Sequence, residues 1–359
     1  MGAVRILVAS DRIGSASSLR AGRLIAAGWP EAATRVMPVG AAGAGFIEAY
    51  AAAIGVEAER AAGPDGVATT VRSTAGWAVG WEPAAAPAAE LPYGVSSAPL
   101  GTALRSALAG GASRVFVDLA GPDVHDAGAG LLAALGARAD VPLDGGVEPL
   151  ARLSTLDLDA VRTAVGKTEL IGVVPEGEPA ALLLGLRGIT SRRGREYGED
   201  PARMLAADAA LERFAGVVAP GLAAAAGSGA CGGLGLALLA LGGRLATGPS
   251  VTLTTTDEEP RPDLVLTGCS VFDFAHRGGE VVGAAARLAT SLLVPCVLLA
   301  GEVFVGSREQ RAMGIEASYA VRGDSRTGRA GVAPHDPGWS PSEAALADLS
   351  RRVARTWTW

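Results

Sequence analysis

Short apolar runs alternate with segments of helical spacing along the whole chain. Val4–Ala9 is apolar but for Arg5, the pattern of a strand buried on both faces. A Ser/Gly turn follows, then an amphipathic segment at Leu19–Ala27. Thr34–Val39 predicts a second strand, and Phe46–Ile54 a helix after a Gly-rich turn. Val67–Arg72 and Gly76–Glu82 read as an antiparallel pair, and the Pro- and Ala-rich stretch Glu82–Pro99 as a loop. A helix around Thr102–Ala109, a strand at Arg114–Leu119 and a helix from Asp126 to Gly136 come next. The strand Glu169–Val174 leads into a polar loop holding Arg192, Arg193 and Arg195. Pro201 suits the first turn of a helix over Pro201–Val218, with Leu205, Ala209, Phe214 and Val218 at apolar spacing. Leu264–Thr267 and Val294–Ala300 predict buried strands flanking a helix at Val281–Ala289. Ser342 caps a last helix, Ser342–Thr356.

This alternation predicts an α/β protein. Read from the pattern alone, parallel strands with crossover helices make one doubly wound sheet. Gly-rich turns then lie at its carboxyl edge, where ligands bind. No repeat period is visible. At about 150 residues per domain, 359 residues suggest two domains.

Composition narrows the chemistry. Hydrophobic residues make up 49% and charged residues 19%, which argues for a packed core and against disorder. A net charge of −6 argues against a nucleic-acid or anionic-membrane partner, because no basic excess is available for phosphates. Lys167 is the one lysine, Gln310 the one glutamine, and asparagine is absent, so arginine carries nearly all positive charge. Cys231, Cys269 and Cys296 form no CxxC pair, and His125, His276 and His335 complete no zinc pattern of known spacing. An odd cysteine count without a signal segment suggests a reducing, cytoplasmic setting, and no apolar run is long enough to predict a membrane span.

Two glycine motifs carry little. Gly166-Lys167-Thr168 ends like a phosphate-binding loop, but Val161 stands where that motif needs glycine, so a turn before a strand is expected. Gly227 to Gly232 matches GxGxxG, but an alanine run precedes it instead of a strand, and no acid lies about 20 residues on. Two aspartates carry more. Asp126 opens Asp-Ala-Gly-Ala-Gly just after a strand. It reads as a helix cap, or as a carboxylate holding a hydroxyl or metal at a helix start. Asp11 follows the first strand and reads equally as a cap or as ligand chemistry.

Taken together, several segments resemble the glycerate kinase family, which phosphorylates D-glycerate with ATP. Val8 to Asp11 followed by Ser15 to Ser18 looks like the family's APDSFKGSLS. Val39 to Phe46 lies where the family has ADGGEGT. Leu119 to Gly130 looks like LGGSATNDGGAG. Gly229 to Gly235 is similar to GAAGGLG, Asp263 to Asp273 to DLVITGEGRID, and Val294 to Gly301 to VPVIALAG. The shared order over most of the chain implies two α/β lobes with a cleft between them. One lobe is expected from 1–65 plus 260–359, the other from 66–259.

The resemblance implies ATP and Mg²⁺ as cofactors and a small hydroxy acid as partner, with a homodimer allowed. It implies Asp11 and Asp126 as catalytic residues and Asp273 as the metal ligand, all three converging on one cleft. Arg12, Ser15, Gly121, His125, Gly128, Thr267, Gly268 and Arg277 would bind substrate or phosphate. Departures bear on the chemistry. Gly14 and Glu280 stand where the family has lysines. Ala41 and Ala44 replace its Asp and Glu, Pro122 and His125 its Ser and Asn, and Cys269 and Val271 its Glu and Arg. Val174 and Glu176 lie at two family aspartates. Phosphoryl transfer relies on positioning and on cations at phosphate oxygens. Two readings therefore stand side by side: a divergent ATP-dependent kinase, with Arg12 and Arg277 as substitute clamps, and a non-catalytic binder of a small anion or protein. A third uses His125 as acid–base, against a structural role for that residue.

Overall fold

The computed structural model describes residues 3–84, 90–254, 260–322 and 338–357. His335 and part of the Glu82–Pro99 loop lie outside the described residues. The chain divides into two compact units, the first of Met1–Ala41, Glu48–Gly55 and Gly248–Trp359, the second of Ala42–Ile47 and Val56–Thr247.

Thirteen strands are present among the described residues: β1 (Arg5–Ser10), β2 (Ala33–Pro38), β3 (Glu59–Ala62), β4 (Gly66–Val71), β5 (Trp77–Pro83), β6 (Arg114–Asp118), β7 (Arg138–Ala139), β8 (Leu156–Asp157), β9 (Glu169–Val174), β10 (Arg244–Thr247), β11 (Leu264–Phe272), β12 (Cys296–Val303) and β13 (Ala317–Ala320). The first unit holds a five-stranded sheet in the order β13-β12-β11-β1-β2, parallel throughout. Ile6, Leu7, Val8 and Ala9 are all buried, as a strand covered by helices on both faces requires. In the second unit the order is β10-β9-β6-β5-β4-β3. The run β5-β6-β9-β10 is parallel, and β3-β4-β5 is an antiparallel meander. The mixed α/β class is as the sequence pattern predicts. The single doubly wound sheet is not: two separate sheets form, because alternation of elements does not specify which strands pair. A small β7–β8 ribbon completes the second unit.

Differences in detail have local causes. The Arg-rich segment after β9 contains a helix, Ile189–Tyr197, and not only a loop. Its buried face is Ile189, Thr190 and Gly194, too short and too small to give a hydrophobic stripe. Helix Pro201–Val218 has the expected bounds, with Asp200 accepting from the Ala202 N–H at its start. Its inner face, however, is Ala207, Ala210, Leu211, Phe214, Ala215 and Val218, and Leu205 is 72% exposed. Small alanines carry the packing here, so the large residue misstates the register. Gly166-Lys167-Thr168 is a turn between helix Asp159–Val165 and β9. No helix among the described residues is long and apolar enough to cross a membrane.

The register makes a direct prediction. Phe214→Ala removes a fully buried ring and should cost about 3–5 kcal/mol. Leu205→Ser should stay within about 0.5 kcal/mol of the parent. Urea titrations of both proteins check this, and a large loss in Leu205→Ser would mean the helix is rotated.

Candidate functional site

In the first unit the candidate residues collect where β1 and β11 end. The Asp11 N–H donates to the Gly268 carbonyl at 3.0 Å, which fixes the loop after β1 against β11. One Asp11 carboxylate oxygen accepts from the Arg12 N–H at 2.7 Å. Burial raises the Asp11 carboxyl above its ordinary range, opposed by the Arg12 N–H and guanidinium. Arg12 reaches Glu48 at 3.5 Å.

Asp273 follows β11 and takes the His276 N–H at 2.7 Å on one oxygen and the His276 ring at 3.2 Å on the other. Burial pushes its carboxyl up, but these bonds outweigh it and hold the group below the usual carboxylate range. The buried Cys269 thiol, next to Gly268 on β11, is driven far upward by burial and by the charges of Asp11 and Asp273. Asp11 and Gly268 are therefore brought together, and the Cys269 thiol feels the charge of Asp273 as well as that of Asp11. Thr267 is fully buried on β11. Ser15 and Arg277 are exposed, and Arg277 is held at φ 51° ahead of helix Gly279–Ser291, whose first turn carries Glu280.

Gly14 needs separate attention because of its resemblance to a lysine position. Its φ is +58°, and its N–H donates to the Ser270 hydroxyl at 3.0 Å. A Cβ on this residue would stand 2.4 Å from the Ser340 hydroxyl oxygen and 2.9 Å from the Pro341 carbonyl. The left-handed backbone favours glycine, and a side chain here would have to push back Ser340 and the Pro341 carbonyl.

In the second unit Asp126 is fully buried, and its carboxylate accepts four hydrogen bonds: from the Ser97 N–H and hydroxyl, the Gly128 N–H and the Gly130 N–H. Burial raises its carboxyl, while the Ser97, Gly128 and Gly130 donors pull it down. The carboxylate ties Ser97, which precedes helix Ala98–Ala109, to the start of helix Ala129–Ala134. His125 is also fully buried, 3.0 Å from the Thr190 hydroxyl and edge-on to Tyr93. Burial and the Arg193 charge lower it to about 3, so the ring is neutral at physiological pH. Gly121 lies against the Trp81 carbonyl, and Gly128 against Ala237, at distances no side chain would permit.

Around these loops the structure gathers side chains that the sequence did not single out as a site. Arg193 pairs with Asp123 and donates to the Val124 carbonyl at 2.7 Å. Arg192 pairs with Glu178 at 2.6 Å, and Glu178 in turn accepts the Cys231 N–H at 3.1 Å. Two adjacent arginines on one short helix thus tie down both the 121–128 loop and the Gly229–Gly235 motif. Their Arg-Arg pair was visible in the sequence; the acids they pair with lie 14 and 70 residues away.

A Mg²⁺ that enters with a nucleotide takes one or two carboxylates beside the phosphate oxygens, and Asp273 would be the carboxylate to hold it. Among the described residues no three His, Cys, Asp or Glu side chains gather as an all-protein metal site would need. Both oxygens of Asp273 contact His276.

Each of the two α/β units carries glycine loops at the carboxyl ends of parallel strands, the position at which ligands bind in sheets of this kind. The glycerate kinase family model matches residues 6–358, and the chain belongs to that family. An uncharacterized protein of Mycobacterium bovis is 30% identical over 350 residues, covering 89% of this chain and 84% of the relative. The glycerate 2-kinase of Escherichia coli is 28% identical over 324 residues, covering 82% of each. A crystal structure from Salmonella typhimurium LT2, assigned as glycerate kinase 2, has the same fold. Its TM-score is 0.75 at 24% identity, with 99% of this chain and 98% of that one covered.

Two outcomes follow from the second unit. Asp126→Asn strips charge from a fully bonded buried acceptor and should cost about 2–4 kcal/mol in a urea titration. A change below about 0.5 kcal/mol would mean the network does not hold the loops. His125 makes stability depend on pH with a defined sign. Above pH 6.5 the ring is neutral folded and unfolded, and its contribution is fully present. As pH falls from 6.5 toward 3 only the unfolded chain takes up the proton, so stability declines by at most about 1.4 kcal/mol per pH unit. The His125→Asn protein should lose this component when both are titrated at pH 7 and pH 4.5. Equal slopes would show that the ring is not held neutral.

Proposed function

We propose that this family member binds a small hydroxy acid of the glycerate type, and transfers phosphate to it from ATP far more slowly than a member bearing the lysine. Family membership supports the ligand class. The observation that carries the slow transfer is Gly14, where a side chain would run into Ser340 and the Pro341 carbonyl. Removing one charge-stabilising donor from a transition state costs about 2.7–4 kcal/mol, a factor of roughly 100 to 1000 in rate. Glu280 adds a negative charge in the first turn of helix Gly279–Ser291. Asp126, the candidate to accept the hydroxyl proton, is enclosed and holds four donors.

A second reading, an arginine-clamped kinase, is favoured by the exposed guanidiniums of Arg12 and Arg277. Arginine is wider than lysine and planar, so the exchange is not conservative.

Thermal melts separate the two. A ligand at 100 times its Kd stabilises a protein by about 2.7 kcal/mol. Millimolar D-glycerate should raise the melting temperature, and millimolar Mg-ATP should leave it nearly unchanged, with glycerate phosphorylation close to background in a coupled assay. A shift of several degrees with Mg-ATP, abolished in Arg12→Ala or Arg277→Ala, would overturn slow transfer in favour of the clamp.

A further inference from the structure

Residues Trp339, Ser340 and Pro341 lie across the carboxyl edge of the first unit's sheet. At one end Ser340 and Pro341 fill the space beside Gly14, in the loop after β1. In the middle, Pro341 is buried against β12: a Cβ on Gly301 would stand 3.1 Å from Pro341 Cγ and 3.2 Å from its Cδ. At the other end, the Arg322 guanidinium lies 5.2 Å over the Trp339 ring. Arg322 is itself fixed just past β13, with its N–H on the Gly301 carbonyl at 3.0 Å and its guanidinium 3.8 Å from the buried Glu302. On the downstream side, Ser342 caps helix Glu343–Ala354 through the Ala345 N–H at 3.2 Å, and Glu343 pairs with Arg20.

The segment is thus anchored at both ends. Two glycines, Gly14 and Gly301, shape its bed. The carboxyl edge of a parallel sheet is where ligands enter. A segment lying there competes with any ligand that needs the same backbone.

We propose that Trp339–Pro341 is a strap over the Gly14 backbone that must lift before a polyphosphate, already met by the exposed Arg12 and Ser15, can settle against that turn. This rests on the reading above, in which the Gly14 loop faces the phosphates. The closed state lowers apparent affinity by the fraction of molecules in which the strap is open. Trp339 is half-buried, so truncating it removes the Arg322 stack without hollowing the core.

The experiment is calorimetric titration of the full chain with Mg-ATP and, separately, with inorganic tripolyphosphate. The parent protein, Trp339→Ala and Pro341→Gly are compared at matched circular dichroism. Losing a partly exposed cation–π contact should raise the association constant for both probes about 2–5-fold in Trp339→Ala. Pro341→Gly should act in the same direction by freeing the strap backbone. Affinities that are equal, lower or undetectable in all three folded proteins would overturn the strap and leave the segment as packing alone. A gain for Mg-ATP without one for tripolyphosphate would also overturn it, because the strap bars phosphates, not the base. The ratio of variant to parent reads the strap, while the parent's turnover reads the transfer rate, so the two claims fail separately.

Discussion

A side chain on residue 14 would run into Ser340 and the Pro341 carbonyl, and the packing at the end of β1 turns on that contact. The left-handed backbone at Gly14 aims its N–H at Ser270 on β11. That bond brings the loop after β1 close to the adjoining strand. The same turn leaves a hollow that Ser340 and Pro341 fill. Filling it starts helix Glu343–Ala354 at Ser342, and the helix then packs Leu346, Leu349 and Val353 into the core that also holds Ile6, Val8 and Ile25. A side chain at position 14 would displace the start of this helix as well as alter the loop.

The second unit rests on a buried charge instead of a missing side chain. Placing a carboxylate in the interior is costly unless its lone pairs are met. Asp126 meets that condition with four donors from three residues. An aspartate so bound is well suited to hold loops: Oδ2 takes three of the donors and Oδ1 only the Gly128 N–H. Burial has a parallel effect on His125, which stays neutral between Thr190 and Tyr93. Asp126 and His125, whose resemblance is to catalytic and binding groups, are also tied into the packing around the glycine loops.

Much of the fold was legible in the sequence where local chemistry is strong. Asp200 and Pro201 set the start of helix Pro201–Val218, and apolar runs located β1, β6 and β9. The face of that helix was misread because alanines, not Leu205, carry its contact. The edge strands β3, β10 and β13 give no apolar run because each is only four residues long and nearly all of those are exposed or half-exposed. The candidate site was legible as motifs but not as partners. Ser97 gives no sign of lying against Asp126, 29 residues on. Nothing in Trp339-Ser340-Pro341 announces that it lies over a glycine more than 300 residues earlier. Order and spacing of motifs carried the family, since glycines report backbone geometry; the roles of the charged residues depend on neighbours brought in by the fold.

Amide hydrogen exchange at Gly14 in the unmodified protein tests most directly whether this position is closed. Its N–H lies under the strap and is bonded to Ser270, so it should exchange as slowly as the amides of Leu7 and Val8 in β1. Exchange near the rate of an open turn, such as that at Gly177, would contradict closure and return position 14 to the set of sites where a ligand has free access.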